Sequence, residues 1–209
     1  MNTQFPNDTL LHVKTNNTFN KETSLEMSLA NNETILDKLN FVFLNDFLRY
    51  HNLRSKNINV SYTTIHWPIA DTLRLAHEKR GLECKPDMVI MHNKHIIAPI
   101  EIKYYDNYED IDINKHKGQL YCEMLWSAKH NKLIQSHINT MYGILVANQL
   151  FHFFWAEFTD KYVKDVEKEK CNEIVVYEIN DCIPFDFRKE EDREIIEQMF
   201  VSIINNYIQ

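Results

Sequence analysis

Lys85-Pro86-Asp87-Met88-Val89-Ile90-Met91, followed by Ile96-Ile97-Ala98-Pro99-Ile100-Glu101-Ile102-Lys103, is the stretch that decides how this chain is read. Two apolar runs flank His92-Asn93-Lys94, a polar tripeptide suited to a hairpin turn. The runs predict strands over 86–91 and 95–103. Side chains alternate along a strand, so Glu101 and Lys103 point the same way. If the strands pair, Asp87 comes close to both. Two carboxylates and an ammonium gathered at one point of a sheet are the outline of a metal-dependent phosphoryl-transfer site.

Working outward, Ile35, Leu36, Leu39, Phe43, Leu44, Phe47 and Leu48 recur at helical spacing after Asn31-Asn32, either of which can cap a helix. Ile58, Val60 and Tyr62 alternate as in a strand, which Trp67-Pro68 is expected to end. Asp71 to Gly81 reads as a short helix. After the hairpin comes an acidic loop with Asp106, Glu109, Asp110 and Asp112, more readily a solvated loop than a second metal site. A helix is expected from Lys115 to His130, and strands over 141–146, 150–158 and 174–179. A terminal helix is expected over 190–207, and the charged segment 160–171 reads as helix or loop. Residues 1–23, rich in Asn and Thr, form a polar extension with one weak strand candidate at 9–13. Helices and strands intermix without strict alternation. The expected fold is therefore α/β, a mixed central sheet with helices on both faces, in one domain spanning 24–209.

The 209 residues carry a net charge of −7, which argues against a generic duplex-coating protein. Only 3 glycines are present, and neither GxGxxG nor GxxxxGK[ST] occurs, so nucleotide-loop chemistry has no support. The 4 cysteines are far apart and form no CxxC, which reads as reduced thiols in an intracellular protein of nucleus or cytoplasm. No leader and no membrane-spanning run is visible.

Phosphodiester hydrolysis needs charge neutralised on the phosphate and a hydroxide made near neutral pH. Mg²⁺ or Mn²⁺ on hard oxygen ligands serves both needs. Asp87 and Glu101 would supply carboxylates, and Ile102 its backbone carbonyl. Lys103 would orient water or stabilise developing charge; beside two carboxylates it stays protonated, which suits the second role.

Pro86-Asp87, a gap of thirteen residues and Glu101-Ile102-Lys103, set in a strand-turn-strand, resemble the PD-(D/E)xK nuclease superfamily. The resemblance implies a restriction-endonuclease-like core of helix, three strands, helix and strand, matching residues 31–146. It implies a further carboxylate on the first helix, with Glu33 the candidate for both a metal and a catalytic role ahead of Glu26 and Glu78. It also implies a glutamine on the helix after the lysine, where Gln119 fits. One branch places a tyrosine four residues beyond that glutamine; this chain has Glu123 there and Tyr121 two residues beyond. Lys115, Lys117, Lys129 and Lys132, with His116 and His130, make a basic stretch that either holds substrate phosphates or is a solvated helix face. The expected activity is a Mg²⁺- or Mn²⁺-dependent endonuclease, DNA favoured over RNA, with a homodimer if duplex cuts are paired. The alternative is a nuclease-derived module that binds nucleic acid or protein. A viral cap-snatching type of RNA cleavage would require a histidine ligand, His51 or His66. For Asp87, Glu101 and Lys103 the bland alternative is a salt-bridge cluster on a hairpin edge.

Overall fold

The computed structural model describes residues 32–62, 67–68, 83–107, 111–134, 138–167 and 173–208. The expected extension 1–23, strand 9–13 and helix 71–81, together with Glu26, His66 and Glu78, lie outside them.

Helix α1 (Glu33–Tyr50) begins at Asn32, whose Oδ1 accepts the N–H of Ile35 at 3.0 Å. That cap satisfies one of the donors a helix start leaves open. Leu36, Phe43, Leu44, Phe47 and Leu48 are buried along one stripe. A single 3₁₀ turn (Arg54–Lys56) and Asn57, at φ 60°, lead into β1 (Ile58–Tyr62). Asparagine tolerates the left-handed region better than most residues, so the chain reverses there at low cost. Trp67–Pro68 does not continue that strand. It forms β2, paired antiparallel with β3 (Glu83–Cys84) in a ribbon of its own.

The hairpin predicted from the opening stretch is β4 (Met88–His92) and β5 (His95–Lys103), turned at Asn93 with φ 54° and bulged at Ile90/Met91. Helix α2 (Asn114–Leu133) then crosses over to β6 (Thr140–Ala147), which runs parallel to β5. β7 (Leu150–Glu157) returns antiparallel after Asn148-Gln149. The charged segment after it is helix α3 (Asp160–Glu167), and α4 (Glu190–Ile208) closes the described chain. β8 (Val176–Glu178) and β9 (Phe185–Asp186) both pair with β7. The mixed sheet has the order β1-β4-β5-β6-β7-β8, with β9 also on β7.

The two faces of the sheet bury separate cores. Ile100, Ile102, Ile144, Val146, Phe151 and Phe153 meet α1 and α4 through residues such as Phe43, Phe47, Phe200 and Ile204. Met141, Leu145, Phe154 and Ala156 meet α2 through Leu120, Met124 and Ala128. The aromatic run of β7 is thus core, with Phe151, Phe153 and Phe154 almost wholly buried. Close approach of α2 depends on Gly143, where a Cβ would fall 2.6 Å from Met124 Sδ and 3.3 Å from Leu120 Cγ. Among the described residues no helix is long and apolar enough to cross a membrane.

A candidate carboxylate-lysine site at one end of the sheet

Strand directions bring the predicted residues to one end. β1 and β5 finish there, β4 begins there, and β6 finishes beside β5 with Lys103 opposite Ala147. Asp87 precedes β4 and accepts the backbone N–H of Ile102 on Oδ2 at 2.7 Å. Lys103 Nζ lies 2.5 Å from Glu101 Oε1 and 3.3 Å from Glu33 Oε1. Asp87, Glu101, Lys103 and Glu33 are therefore gathered, with Ile102 joining Asp87 to the Glu-x-Lys strand.

Gln119 arrives from α2, though indirectly. Its Nε2 donates to Glu123 Oε1 at 3.0 Å, and Glu123 makes the hydrogen-bonded contact with Glu101. Both glutamates are essentially inaccessible to solvent. Burial, then the neighbouring Glu101, push Glu123 to about 10, so it is protonated at neutral pH. Burial, then the charge of Asp87, push Glu101 to about 7 despite Lys103. Burial also raises Asp87 against the opposing Ile102 hydrogen bond. Lys103 is held above its ordinary range: burial disfavours its charge, but Glu101, Asp87 and Glu33 outweigh it.

The sequence reading missed Asp37. It lies one helical turn beyond Glu33, and its Oδ1 is buried without a hydrogen-bond partner among the described residues. Burial, then Asp87 and Glu33, raise it to about 6. The signal was the i, i+4 spacing from Glu33, which puts both carboxyls on one face of α1.

Lys117, Lys129 and Lys132 of α2 face other partners. Lys117 Nζ is 2.6 Å from Glu178 Oε2, Lys132 pairs with Asp160 at 2.7 Å, and Lys129 sits over the Trp126 ring at 4.6 Å. Lys115 falls on the backbone of the same helix. His51 is on the opposite side of the sheet, 3.8 Å from Glu197 of α4. Asp112 is engaged at the start of α2, its Oδ1 accepting the N–H of Asn114 at 3.2 Å. A hollow of about 410 Å³ lined by Trp155, Glu157, Tyr162, Glu173 and Tyr177 contains none of the gathered residues.

These groups can be tested for fit to a divalent cation. Among the described residues no three His, Cys, Asp or Glu side chains are arranged to enclose a metal ion. Glu101 is held by Lys103 and Glu123, whereas Asp37 Oδ1 has no hydrogen-bond partner among the described residues. The oxygen-only donor set of Asp87, Glu101, Glu33 and Asp37 would fit a hard, largely hydrated ion of the Mg²⁺ kind, which uses one or two carboxylates and keeps its waters. It does not suit a closed cage. No family model, curated protein or solved structure matches the chain.

Proposed function

We propose that the protein is a Mg²⁺- or Mn²⁺-dependent nuclease of the PD-(D/E)xK kind, on a restriction-endonuclease-like fold, hydrolysing phosphodiester bonds with DNA favoured over RNA. The observation that carries this reading is the convergence of Asp87, Glu101, Lys103 and Glu33 at one sheet end, with Lys103 bridging two carboxylates. Asp87 and Glu101 would hold the cation, with the Ile102 carbonyl and Glu33 as further oxygen donors and Asp37 at hand on α1. When bound, such an ion polarises a phosphate oxygen and lowers the pKa of a coordinated water.

The chain's own groups supply the rest. Lys103 keeps its proton, so it acts as a cation toward the phosphate rather than as a base. Glu123 donates a proton to the Glu101 contact and so orients that carboxyl, while Gln119 holds Glu123. Gln119 therefore works through Glu123 and not on the substrate directly. The apolar flanks Ile100 and Ile102, almost wholly buried, keep the strand rigid beneath the site.

The second reading, a nuclease-derived binding module of weak or no activity, is favoured by the pairing of Lys117 and Lys132 with acidic partners, which leaves less charge for phosphates. Incubation with DNA and RNA in Mn²⁺, beside Asp87→Ala and Lys103→Ala, separates the two. Metal-dependent cleavage lost in both variants supports the nuclease; no cleavage by the wild type overturns it.

A further inference from the structure

Tyr62 closes β1 at the carboxylate end of the sheet, opposite Met88, the residue after Asp87. Its ring stacks on Phe41 of α1, with centroids 4.5 Å apart and planes 20° apart. Its hydroxyl donates to the carbonyl of Asp37 at 3.4 Å. The ring is thus fixed on one face and at its tip, yet the residue stays 43% exposed. A fixed aromatic ring beside a candidate phosphodiester site is a surface on which a base can stack with little ordering cost.

Charge narrows the ligand further. Lys117 and Lys132 are paired with carboxylates, which leaves those two lysines of α2 less charge to offer phosphates. Exposed Lys85 lies near enough to Asp87 to lower its pKa in part, so one cation stands beside that carboxylate. A base inside a duplex has both faces covered by its neighbours, whereas an unpaired base can offer a face to Tyr62.

We propose that Tyr62, backed by Phe41, is a stacking platform for an unpaired nucleobase of a single-stranded segment whose backbone passes the Asp87-Glu101-Lys103 cleft. The inference rests on the nuclease reading for the placement of that backbone, and it names the substrate class: single-stranded or splayed nucleic acid.

The test is fluorescence anisotropy with a labelled single-stranded DNA oligonucleotide, its RNA counterpart and its duplex, in chelator so that no metal-dependent cleavage intervenes. Full-length wild type, Tyr62→Leu and Tyr62→Phe are compared, and abasic sites are walked along the single strand. The expected result is tighter binding of the single strands than of the duplex. Tyr62→Leu should weaken single-strand binding about 5- to 150-fold, the range for one base-aromatic stack, and Tyr62→Phe should stay within about 2-fold. One abasic position should weaken wild type equally and erase the effect of Tyr62→Leu. Wild type that binds no oligonucleotide, or a flat abasic walk, overturns the proposal even if Tyr62→Leu fails to fold. Cleavage with a flat walk keeps the nuclease and removes the platform. A position-specific walk without any cleavage in Mn²⁺ keeps the platform and removes the nuclease.

Discussion

The N–H of Ile102 donates to Asp87 Oδ2 at 2.7 Å, so the residue between Glu101 and Lys103 is fastened to the carboxylate that faces them. Asp87 thus holds the strand as well as offering a ligand. Asp87→Ala strands that N–H and should cost about 1–3 kcal/mol. Asp87→Asn keeps an acceptor and should hold stability within about 1 kcal/mol of wild type. Mn²⁺ binding should be lost in both. Urea unfolding read beside calorimetric titration checks the split; equal destabilisation by Asn and Ala would contradict it.

The carboxyl cluster sets the response to pH. Asp37 at about 6 and Glu101 at about 7 bind protons more tightly folded than unfolded, where carboxyls titrate near 4. Over that window the native state holds more protons, so stability falls as pH rises. Glu178, held at about 2, has the opposite sign, but its contribution is lost only below the ordinary carboxyl range. In chelator, the melting midpoint should be higher near pH 5 than near pH 7.5. Mg²⁺ should narrow the gap, because cation and proton compete for the same oxygens. A midpoint that rises over this range in chelator would refute the assignment.

Glu123 is neutral at working pH, so a neutral isostere should replace it well. Glu123→Gln is expected to match wild-type stability near pH 4 and to exceed it increasingly toward pH 7.5, because the wild type must recover a proton on folding and the amide need not. Glu123→Ala removes the Gln119 acceptor and leaves a void against Glu101, for a loss of about 2 kcal/mol or more. Chemical denaturation across pH measures both.

Asn148 fixes the chain just after Lys103. Its N–H donates to the Lys103 carbonyl at 2.8 Å, and its side-chain amide exchanges two hydrogen bonds with the Tyr105 backbone, at 2.9 and 3.0 Å. Its φ is 54°, so Asn148→Gly keeps the turn and deletes only the amide. That variant should lose about 1–2 kcal/mol. Its kcat should fall about 10- to 100-fold through misplacement of Lys103, with KM little changed. Asn148→Ala should be less stable than Asn148→Gly by about 1 kcal/mol from left-handed strain. Steady-state kinetics and unfolding curves on the pair decide it; unchanged kcat in Asn148→Gly would remove Asn148 from the positioning of Lys103.

The hairpin was legible because its signals are local: two apolar runs, an Asn turn and a carboxylate at each mouth. Helix α1 was legible from its period and its Asn32 cap. Glu123 showed in the sequence only as a departure from an expected tyrosine. Its burial against Glu101 depends on how low α2 sits on β6, which Gly143 and Met124 decide through packing. Asp37 was missed because the turn of α1 facing the site depends on β4 and β5, which lie fifty or more positions away. The lysines of α2 read as a basic stretch, either a phosphate-holding face or a solvated one. Their acidic partners Glu178 and Asp160 come from segments that no pattern within the helix could point to.

Glu101, Leu145 and His152 stand in one row across β5, β6 and β7. The carboxyl cluster lies at one end of that row, and the Lys117-Glu178-His152 network at the other. Between them Leu145 is wholly buried. That leucine carries no donor or acceptor, so no hydrogen bond links the two networks through its position, one with carboxyls driven up and one with Glu178 driven down. The row thus joins a carboxyl cluster that holds protons to an edge network that gives them up, with one apolar side chain as the seam between two opposite uses of burial.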